Sequence, residues 1–314
     1  MTTSRNNGPL PGIDRRDLMT AGLGAVTLAA GISSGQAQTQ TQVQPTPTAP
    51  APTAGAGKVR AEQRGPVLLI GIDRPQTRNL IDPAIIIGVG KALYQLEHDD
   101  GLRVAVLHGI GPDFSMGIDP PAFIAAVQAG IIPVKDPDFI SILELAPPIR
   151  TKPLVVAVQG GTQFAGHEYF LAADIRVAAS DTVFRQAEVT RGSFPGGGAT
   201  VRFSREAGWA NAMRYMLTGD SWGAEEAHRM GLVQEVTPPG KQLDVAIELA
   251  KKVAAVAPLG VRATLASSRQ ALAAEETTAL AAVQPTFSRL QQTEDFKESQ
   301  RALREGRAPV FRGI

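Results

Sequence analysis

The sequence predicts an α/β domain followed by an all-helical C-terminal region. Short apolar runs typical of buried strands alternate with helical segments as far as about residue 240. From Gln242 to about Arg304 the pattern is helical almost throughout. Alternation of this kind is typical of a sheet covered by helices, and a long helical appendage often packs on a neighbouring subunit. We therefore expect an α/β core with a helical region suited to oligomerisation.

The composition excludes several classes of protein and of site. The 314 residues include no cysteine, which excludes disulfides, thiolate zinc sites, iron–sulfur clusters and cysteine nucleophiles. The four histidines lack a metal-ligand spacing, so no metal site is predicted. With 31 basic against 30 acidic residues, the net charge argues against nucleic-acid and membrane-surface partners.

Residues 1–37 are predicted to be a targeting signal. Arg15 and Arg16 precede a mildly apolar, Gly- and Ala-rich stretch over 18–32, and small residues follow at 35–37. This order is typical of a signal peptide, and the arginine pair indicates the twin-arginine type. The alternative is an accidental arginine pair before a disordered tail. The protein is expected to be periplasmic or exported if the signal functions, and cytoplasmic otherwise.

A low-complexity segment separates the signal from the folded part. Residues 38–60, rich in Thr, Gln, Pro, Ala and Gly, are predicted to be a disordered linker. The domain is expected over 61–314, with its core at 61–240 and the helical C-terminal region at 241–314. These roughly 250 residues suffice for one large α/β domain.

Each element of the core follows from a local pattern. Uninterrupted apolar runs predict buried strands at 67–72, 104–107 and 154–158. Shorter strands are predicted at 175–177, 182–184 and 232–236. The Asp82-Pro83 pair is a helix-start signal and predicts a helix over 84–96. Further helices are predicted at 168–173, 200–207, 210–217 and 224–230.

Glycine-rich loops follow two of the predicted buried strands, at 104–107 and 154–158. Glycine lets backbone N–H groups approach a ligand closely, and two converging N–H groups can form an oxyanion hole. A phosphate-binding loop is the rival interpretation, although neither common glycine motif for phosphate is present in the folded part. Bare turns are the third interpretation.

Two glutamates are candidate acids or bases. Glu168 is the acidic residue of an apolar helical segment, and Glu188 lies between a short strand and a turn. Burial among apolar groups raises a carboxyl pKa towards neutrality, which suits proton exchange. The alternative for both is a solvated or helix-capping carboxylate.

Other polar residues fit a structural role at least as well. His167 is adjacent to Glu168, but neighbouring helical residues point about 100° apart, so a satisfied or exposed histidine is expected. Asp119 fits an acid, a base or a helix cap. Arg74 and Arg78 fit either phosphate ligands or a solvated turn.

A series of short motifs runs in order through the folded part. They are Asp-Arg-Pro-Gln-Thr-Arg-Asn at 73–79, Phe-Ser-Met-Gly-Ile-Asp at 114–119, Lys-Pro-Leu-Val-Val-Ala-Val-Gln-Gly at 152–160, Ala-Ala-Asp-Ile-Arg-Val-Ala-Ala at 172–179, Phe-Arg-Gln-Ala-Glu-Val-Thr-Arg-Gly at 184–192, Phe-Pro-Gly-Gly-Gly-Ala-Thr at 194–200, Leu-Thr-Gly-Asp at 217–220, Ala-Glu-Glu-Ala-His-Arg-Met-Gly-Leu-Val at 224–233 and Pro-Val-Phe-Arg-Gly at 309–313. With this series the chain resembles the crotonase superfamily, the enoyl-CoA hydratases and isomerases. Each motif is weak alone, and their common order makes the resemblance specific.

The resemblance implies a crotonase-like spiral of ββα units whose C-terminal helices build a homotrimer or homohexamer. It implies an acyl-CoA thioester substrate, with coenzyme A as part of the substrate and no separate cofactor. By position, Glu168 and Glu188 match the two catalytic carboxyls of the hydratases. The backbone N–H groups of Met116 and Ala165 match the oxyanion hole.

In the implied reaction, Glu168 activates a water that attacks C3 of a 2-enoyl thioester, and Glu188 delivers a proton to C2. The substrate or its CoA portion is expected to contact four residues, namely Arg78, Gly117, Asp119 and Gly166. Where the family usually has Gly-Gly-Gly before the first glutamate, this chain has Phe-Ala-Gly-His at 164–167. Ala165 can donate its N–H there if its φ is negative.

Two other functions stay open. Because coenzyme A thioesters belong to the cytosol, a functional signal would favour an exported isomerase, lyase or C–C hydrolase acting on a non-CoA carbonyl compound. The other alternative is a non-catalytic, oligomeric binding protein with a decayed site.

Overall fold

A computed structural model describes residues 55–128 and 137–310. The predicted signal at 1–37 lies outside these residues, as does the predicted linker up to residue 54. The first strand, β1 (Lys58–Arg64), takes in the last three residues of the segment predicted to be the linker.

A six-stranded sheet forms the centre of the described part. Its strands, in spatial order, are β1, β2 (Val67–Asp73), β3 (Val104–Gly109), β4 (Leu154–Val158), β6 (Ile175–Ala179) and β9 (Glu235–Thr237). β1 pairs antiparallel with β2, and the other neighbouring strands pair parallel. Because β2, β3 and β4 are covered on both faces, their apolar runs are buried almost end to end.

Helices follow or connect these strands. They are α1 (Pro83–His98), α2 (Pro120–Gln128), α3 (Ala165–Leu171), α4 (Ala199–Ala207), α5 (Trp209–Met216), α6 (Ala224–Arg229), α7 (Gln242–Ala255), α8 (Pro258–Ala281), α9 (Val283–Gln291) and α10 (Glu294–Glu305). The predicted cap of α1 is present, since the Asp82 carboxylate accepts the Ile85 N–H at 2.8 Å. No helix in the described ranges is long and apolar enough to cross a bilayer.

Two helices cover the opposite faces of the main sheet. On one face, α1 packs Leu93 and Leu96 against alternate residues of the strands, such as Ile70 and Leu107. On the other face, α7 packs its small apolar side chains against residues such as Val106. This alternation follows from the period of two in a strand.

A second, three-stranded sheet consists of β5 (Gly161–Gln163), β7 (Val183–Arg185) and β8 (Ser221–Gly223). β5 follows β4 after a sharp turn at Gly160, whose φ is +53°. A Cβ on Gly160 would lie 2.2 Å from the Pro112 carbonyl oxygen, so the turn requires glycine. The turn directs the chain from the main sheet towards the candidate site.

The C-terminal part is helical from α7 to α10, as predicted. Arg269 of α8 joins this part to the core, because its guanidinium donates to the Arg150 carbonyl oxygen at 2.6 Å and to Asp174 at 3.1 Å. The Arg150 side chain is fully buried and pairs with Asp174 at 2.6 Å. These charges lie against the loop that leads into β4.

Candidate active site

The candidate site forms where the loop after β3 meets β5. Ser115 of this loop forms a bridge with Thr162. The Ser115 N–H donates to the Gly161 carbonyl at 3.0 Å, and its carbonyl accepts the Gln163 N–H at 2.9 Å. Met116 therefore lies beside the segment that enters α3.

The first turn of α3 packs directly on this loop. A Cβ on Gly166 would lie 2.5 Å from the Ser115 carbonyl oxygen, so the approach requires glycine. N–H groups in the first turn of a helix have no intrahelical acceptor. Ala165, the first residue of α3, therefore presents an N–H that the helix itself does not use.

The other predicted oxyanion donor, the Met116 N–H, donates to the Arg78 carbonyl oxygen at 3.2 Å. This distance is at the long end for an N–H···O hydrogen bond. A substrate oxygen at the same donor would share or replace the Arg78 carbonyl.

The unusual backbone conformation in this segment falls on Phe164 and not on Ala165. Phe164 has φ +51° and ψ −123°, whereas Ala165 is helical with a negative φ. The Phe164 ring is buried, and the Arg191 guanidinium lies 4.0 Å from its centroid. A Cβ on Gly117, whose φ is +104°, would lie 2.9 Å from the Phe164 Cβ. Packing against Phe164 thus fixes the turn from which Ala165 projects.

Glu168 lies on α3 with only 4% of its surface exposed. Its Oε1 accepts the N–H of Gly197 at 2.6 Å and the N–H of Ala199 at 3.2 Å, at the glycine-rich turn before α4. A Cβ on Gly197 would lie 2.5 Å from the Glu168 Oε2. Burial and the charge of Glu188 raise the pKa of Glu168 to about 8.

Glu188 opens a single 3-10 turn (Glu188–Arg191) after β7. Its Oε1 accepts a hydrogen bond from the Gln186 Nε2 at 2.8 Å. Its Oε2 is buried and has no hydrogen-bond partner in the part of the chain that the structure describes. Burial raises the pKa of Glu188 to about 7.

The two carboxyls interact electrostatically, since the charge of Glu188 contributes to the raised pKa of Glu168. Two carboxyls in one buried site resist being ionised together. Each carboxyl therefore tends to keep a proton near neutral pH, and the titration of the pair belongs to both groups. Such a pair can donate one proton and accept another in the same reaction.

Arg78 lies beside the site and makes two hydrogen bonds of 2.9 Å to the Asp113 carboxylate. Asp113 also accepts the Gly161 N–H at 2.7 Å, so this ion pair links the turn at Arg78 to β5. The Arg78 side chain is nevertheless 58% exposed. Its guanidinium is therefore open to a ligand in solution.

Asp119 is engaged by the protein on both carboxylate oxygens. Oδ2 accepts a hydrogen bond of 2.6 Å from Arg74, and Oδ1 accepts the Ala122 N–H at 3.3 Å at the start of α2. The structure thus brings Asp119 to the loop of Met116, where it acts as a helix cap and ion-pair partner.

Several residues that contact the two glutamates or their hydrogen-bond partners were not predicted from the sequence. His167 is fully buried, and its Nδ1 lies 2.6 Å from the Gln186 Oε1. Gln186 precedes Glu188 by two residues, and its Nε2 donates to the Glu188 Oε1. The glycine run at 196–198 supplies an N–H donor to Glu168, a role that was not predicted. Its position before a helix N-terminus was a usable signal for N–H donors.

Sequence comparison decides the family. A sequence model described as enoyl-CoA hydratase/isomerase matches residues 62–313. The chain belongs to the enoyl-CoA hydratase/isomerase family.

Family relatives match over nearly their whole length. The 2,3-dehydroadipyl-CoA hydratase of Escherichia coli is 32% identical over 255 residues, which is 81% of this chain and 98% of the relative. The short-chain-enoyl-CoA hydratase of Clostridium acetobutylicum is 30% identical over 252 residues, which is 78% of this chain and 94% of the relative. The crystal structure of carnitinyl-CoA hydratase from Mycobacterium avium has a TM-score of 0.72 and 31% identity, covering 82% of this chain and 98% of that chain.

These matches confirm the predicted crotonase-type α/β fold and an enzyme of the enoyl-CoA hydratase/isomerase family. They span the α/β core together with α7 to α10. The role of those helices in assembly stays a prediction.

Within the described ranges, no group of three or more His, Asp or Glu side chains is arranged to bind a metal ion.

Proposed function

We propose that this protein is an enoyl-CoA hydratase, which adds water across the C2=C3 double bond of a 2-enoyl-CoA thioester. The observation that carries the proposal is the buried carboxyl pair, Glu168 and Glu188, with both pKa values raised to near neutrality. The names of the E. coli and C. acetobutylicum relatives support hydration of an enoyl-CoA.

In the proposed reaction, ionised Glu168 takes a proton from water as the water oxygen attacks C3. Protonated Glu188 gives its proton to C2. Negative charge builds on the thioester oxygen between these steps, and the N–H groups of Met116 and Ala165 stabilise it. The substrate oxygen takes the place of the Arg78 carbonyl as acceptor for Met116.

The similarity of the two pKa values suits this exchange. Both are raised from 4.5 to near neutrality. Moving the shared proton from Glu188 to Glu168 therefore changes the energy of the enzyme little. Hydration begins with the proton on Glu188 and ends with a proton on Glu168. Because these two states are close in energy, the enzyme can return to the first one after each turnover.

The CoA portion is proposed to lie along the loops that carry Arg78, Gly117 and Gly166. The exposed guanidinium of Arg78 offers a positive charge to a CoA phosphate, and the two glycines permit close backbone approach. Asp119 contributes by holding Arg74 and capping α2. No cofactor beyond the CoA of the substrate is proposed.

The test is loss of the enoyl absorbance of crotonyl-CoA and of longer 2-enoyl-CoA substrates. Glu168→Gln and Glu188→Gln should each lower kcat by about 100-fold or more, as expected for loss of a general acid or base. Glu248→Gln, an exposed change on α7, is the control and should keep wild-type activity. Undiminished activity in both catalytic-site variants would overturn the proposal.

We further propose that residues 1–37 direct export and that the chain assembles as a homotrimer or homohexamer through its C-terminal helices. Support for assembly comes from Val256 and Leu259, which are 54% and 77% exposed at the junction of α7 and α8. Light scattering tests the assembly, and cell fractionation tests export.

The arginine pair at 15–16 also favours a second candidate function. An exported enzyme would meet no cytosolic CoA ester, and the same oxyanion hole could serve an isomerase, lyase or C–C hydrolase acting on a free carbonyl compound. A processed, periplasmic protein without enoyl-CoA turnover would favour this candidate.

A further inference from the structure

His167 is a wholly buried histidine that the proposed reaction does not use directly. Its ring is surrounded by Phe170, Phe184, Phe203 and Trp222, with centroids 5.2 to 5.9 Å away. Burial lowers the pKa of His167 to about 3, so the ring is neutral at physiological pH. A neutral imidazole has one donor nitrogen and one acceptor nitrogen.

The surroundings of the ring determine which nitrogen carries the proton. The Nε2 is buried and has no hydrogen-bond partner in the described ranges, whereas Nδ1 lies 2.6 Å from the Gln186 Oε1. The other end of the same amide, Nε2, donates to the Glu188 Oε1 at 2.8 Å. Because the amide turns its donor end to a carboxyl, its oxygen faces His167, and Nδ1 must be the protonated nitrogen.

We propose that His167 is a positioning residue for Glu188, acting through the Gln186 amide; this inference rests on the proposed hydratase function of the same site. The His167 N–H fixes the orientation of the amide. The amide then occupies the Glu188 Oε1, so the proton that Glu188 transfers is held on Oε2. That oxygen is the one without a protein partner and so is available to the substrate.

Three other parts of the protein lie around the Glu188 turn. Glu168 faces it from α3, Arg191 lies on its own turn, and α10 packs against that turn at Gly192 through the backbone of Asp295. Like charge on Glu168 repels an ionised Glu188, and Arg191 attracts it. The backbone N–H of Glu188 itself also bonds its carboxylate, and the Gln186 amide supplies the hydrogen bond from a side chain.

The test variant is His167→Phe, which keeps an aromatic ring in the cage and removes the N–H. We expect kcat for crotonyl-CoA to fall about 10- to 100-fold, because misplacing a reacting group costs rate, while KM changes less than about twofold. Without the His167 N–H the Gln186 amide is no longer held in place, and its hydrogen bond to Glu188 should weaken. The pKa of Glu188 should then rise, because that hydrogen bond favours the ionised form. The pH profile of kcat, which the carboxyl pair sets, should therefore shift to higher pH.

A matched control separates positioning from packing. Phe203→Leu alters the same cage and removes no hydrogen bond. It should lower thermal stability while keeping kcat and the pH profile of the wild type. If His167→Phe behaves like this control, with an unchanged pH profile, the positioning role is overturned.

A second measurement does not depend on turnover. In protein labelled with ¹⁵N-histidine, His167 is one of four signals and is identified by its loss in His167→Phe. It should show the Nδ1–H tautomer from pH 5 to 9, and the Nε2–H tautomer or a titration near pH 6.5 would overturn the inference. Absence of enoyl-CoA turnover in the wild type would instead overturn the proposed function, while the tautomer and the carboxyl titration of Glu188 would still decide the role of His167.

Discussion

Replacing Glu168 by glutamine should stabilise the fold while it lowers activity. The carboxyl is buried, and its pKa is about 8 in the folded chain against 4.5 for an ordinary glutamate. A folded-state pKa above the unfolded value means that the ionised group opposes folding. The cost is absent below pH 4.5, grows as the pH rises, and is complete above pH 8. Glutamine stays neutral and can still accept the Gly197 and Ala199 N–H bonds through its oxygen.

The size of the gain follows from the two pKa values. Linkage gives a cost of about 1 kcal/mol at pH 5 and on the order of 3 kcal/mol at pH 7 for the wild type. Glu168→Gln should recover these amounts, so the difference between variant and wild type grows by about 2 kcal/mol over this range. A gain in stability with a loss of activity is expected where a catalytic carboxyl is buried at a cost to folding.

The assay is urea unfolding of both proteins at pH 5 and pH 7, at one protein concentration. Glu298→Gln is the control of opposite sign, because hydrogen bonds from Arg307 and Arg301 lower the pKa of Glu298. That carboxylate contributes stability above pH 4.5, so its loss should destabilise at pH 7. Parallel pH dependence of wild type and Glu168→Gln would refute the reasoning.

Three further outcomes are expected. Gly197→Ala should lower kcat by about 100-fold, because its Cβ would displace the Glu168 carboxylate. The control Gly196→Ala should stay active, because its Cβ would lie 3.4 Å from the nearest neighbouring atom. Equal kcat values in the two variants would contradict the packing argument. Asp174→Asn should destabilise the fold by on the order of 3 kcal/mol at pH 7 in denaturant unfolding, because it removes the closest partner of the buried Arg150. Burial alone would raise the pKa of Asp174, but Arg150 lowers it below its ordinary value. The stability lost in Asp174→Asn should therefore shrink as the pH falls below the ordinary carboxyl range. A loss of stability that stays constant down to pH 3 would contradict this prediction. The pH profile of kcat/KM should be bell-shaped with its maximum near pH 7 to 8, because only the singly protonated carboxyl pair is active; a flat profile from pH 5.5 to 9.5 would exclude this pair.

The sequence predicted the elements that have a strong local pattern. The apolar runs at 67–72, 104–107 and 154–158 became β2, β3 and β4, and the helical region begins at Gln242 as predicted. β1 was missed because its residues, Lys-Val-Arg-Ala-Glu-Gln-Arg, show no apolar run. It is a strand because it pairs along its whole length with β2. β5 falls in a segment predicted to be a loop. Its three residues form a strand because they pair with β7, about twenty residues further along the chain.

The predicted boundaries of a strand differ from the observed ones where its buried residues are not the residues that pair with a neighbouring strand. The strand predicted at 232–236 is β9, Glu235–Thr237. Leu232 and Val233 are buried, but they lie before the strand. An apolar pattern reports burial, whereas pairing with β6 defines the strand.

In the site, the two glutamates were identified by resemblance, and their surroundings depend on distant parts of the chain. The N–H donors to Glu168 come from Gly197 and Ala199, 29 and 31 residues away. The expectation that His167 and Glu168 point in different directions agrees with their contacts, since His167 reaches Gln186 and Glu168 reaches the glycine turn. The sequence around Glu168 does not indicate that the glycine turn before α4 packs against α3.

The two outer edges of the main sheet have a consequence for how copies of this chain can meet. β1 carries Lys58, Arg60, Glu62 and Arg64 and is mostly exposed, and the opposite edge strand, β9, has only three residues. An incoming strand would meet a row of charges at one edge and could form few hydrogen bonds at the other. Runaway strand addition, the route to amyloid-like fibres, is thereby disfavoured at both ends of the sheet. Ordered assembly of copies is therefore expected to use the helical surfaces and not the edges of the main sheet.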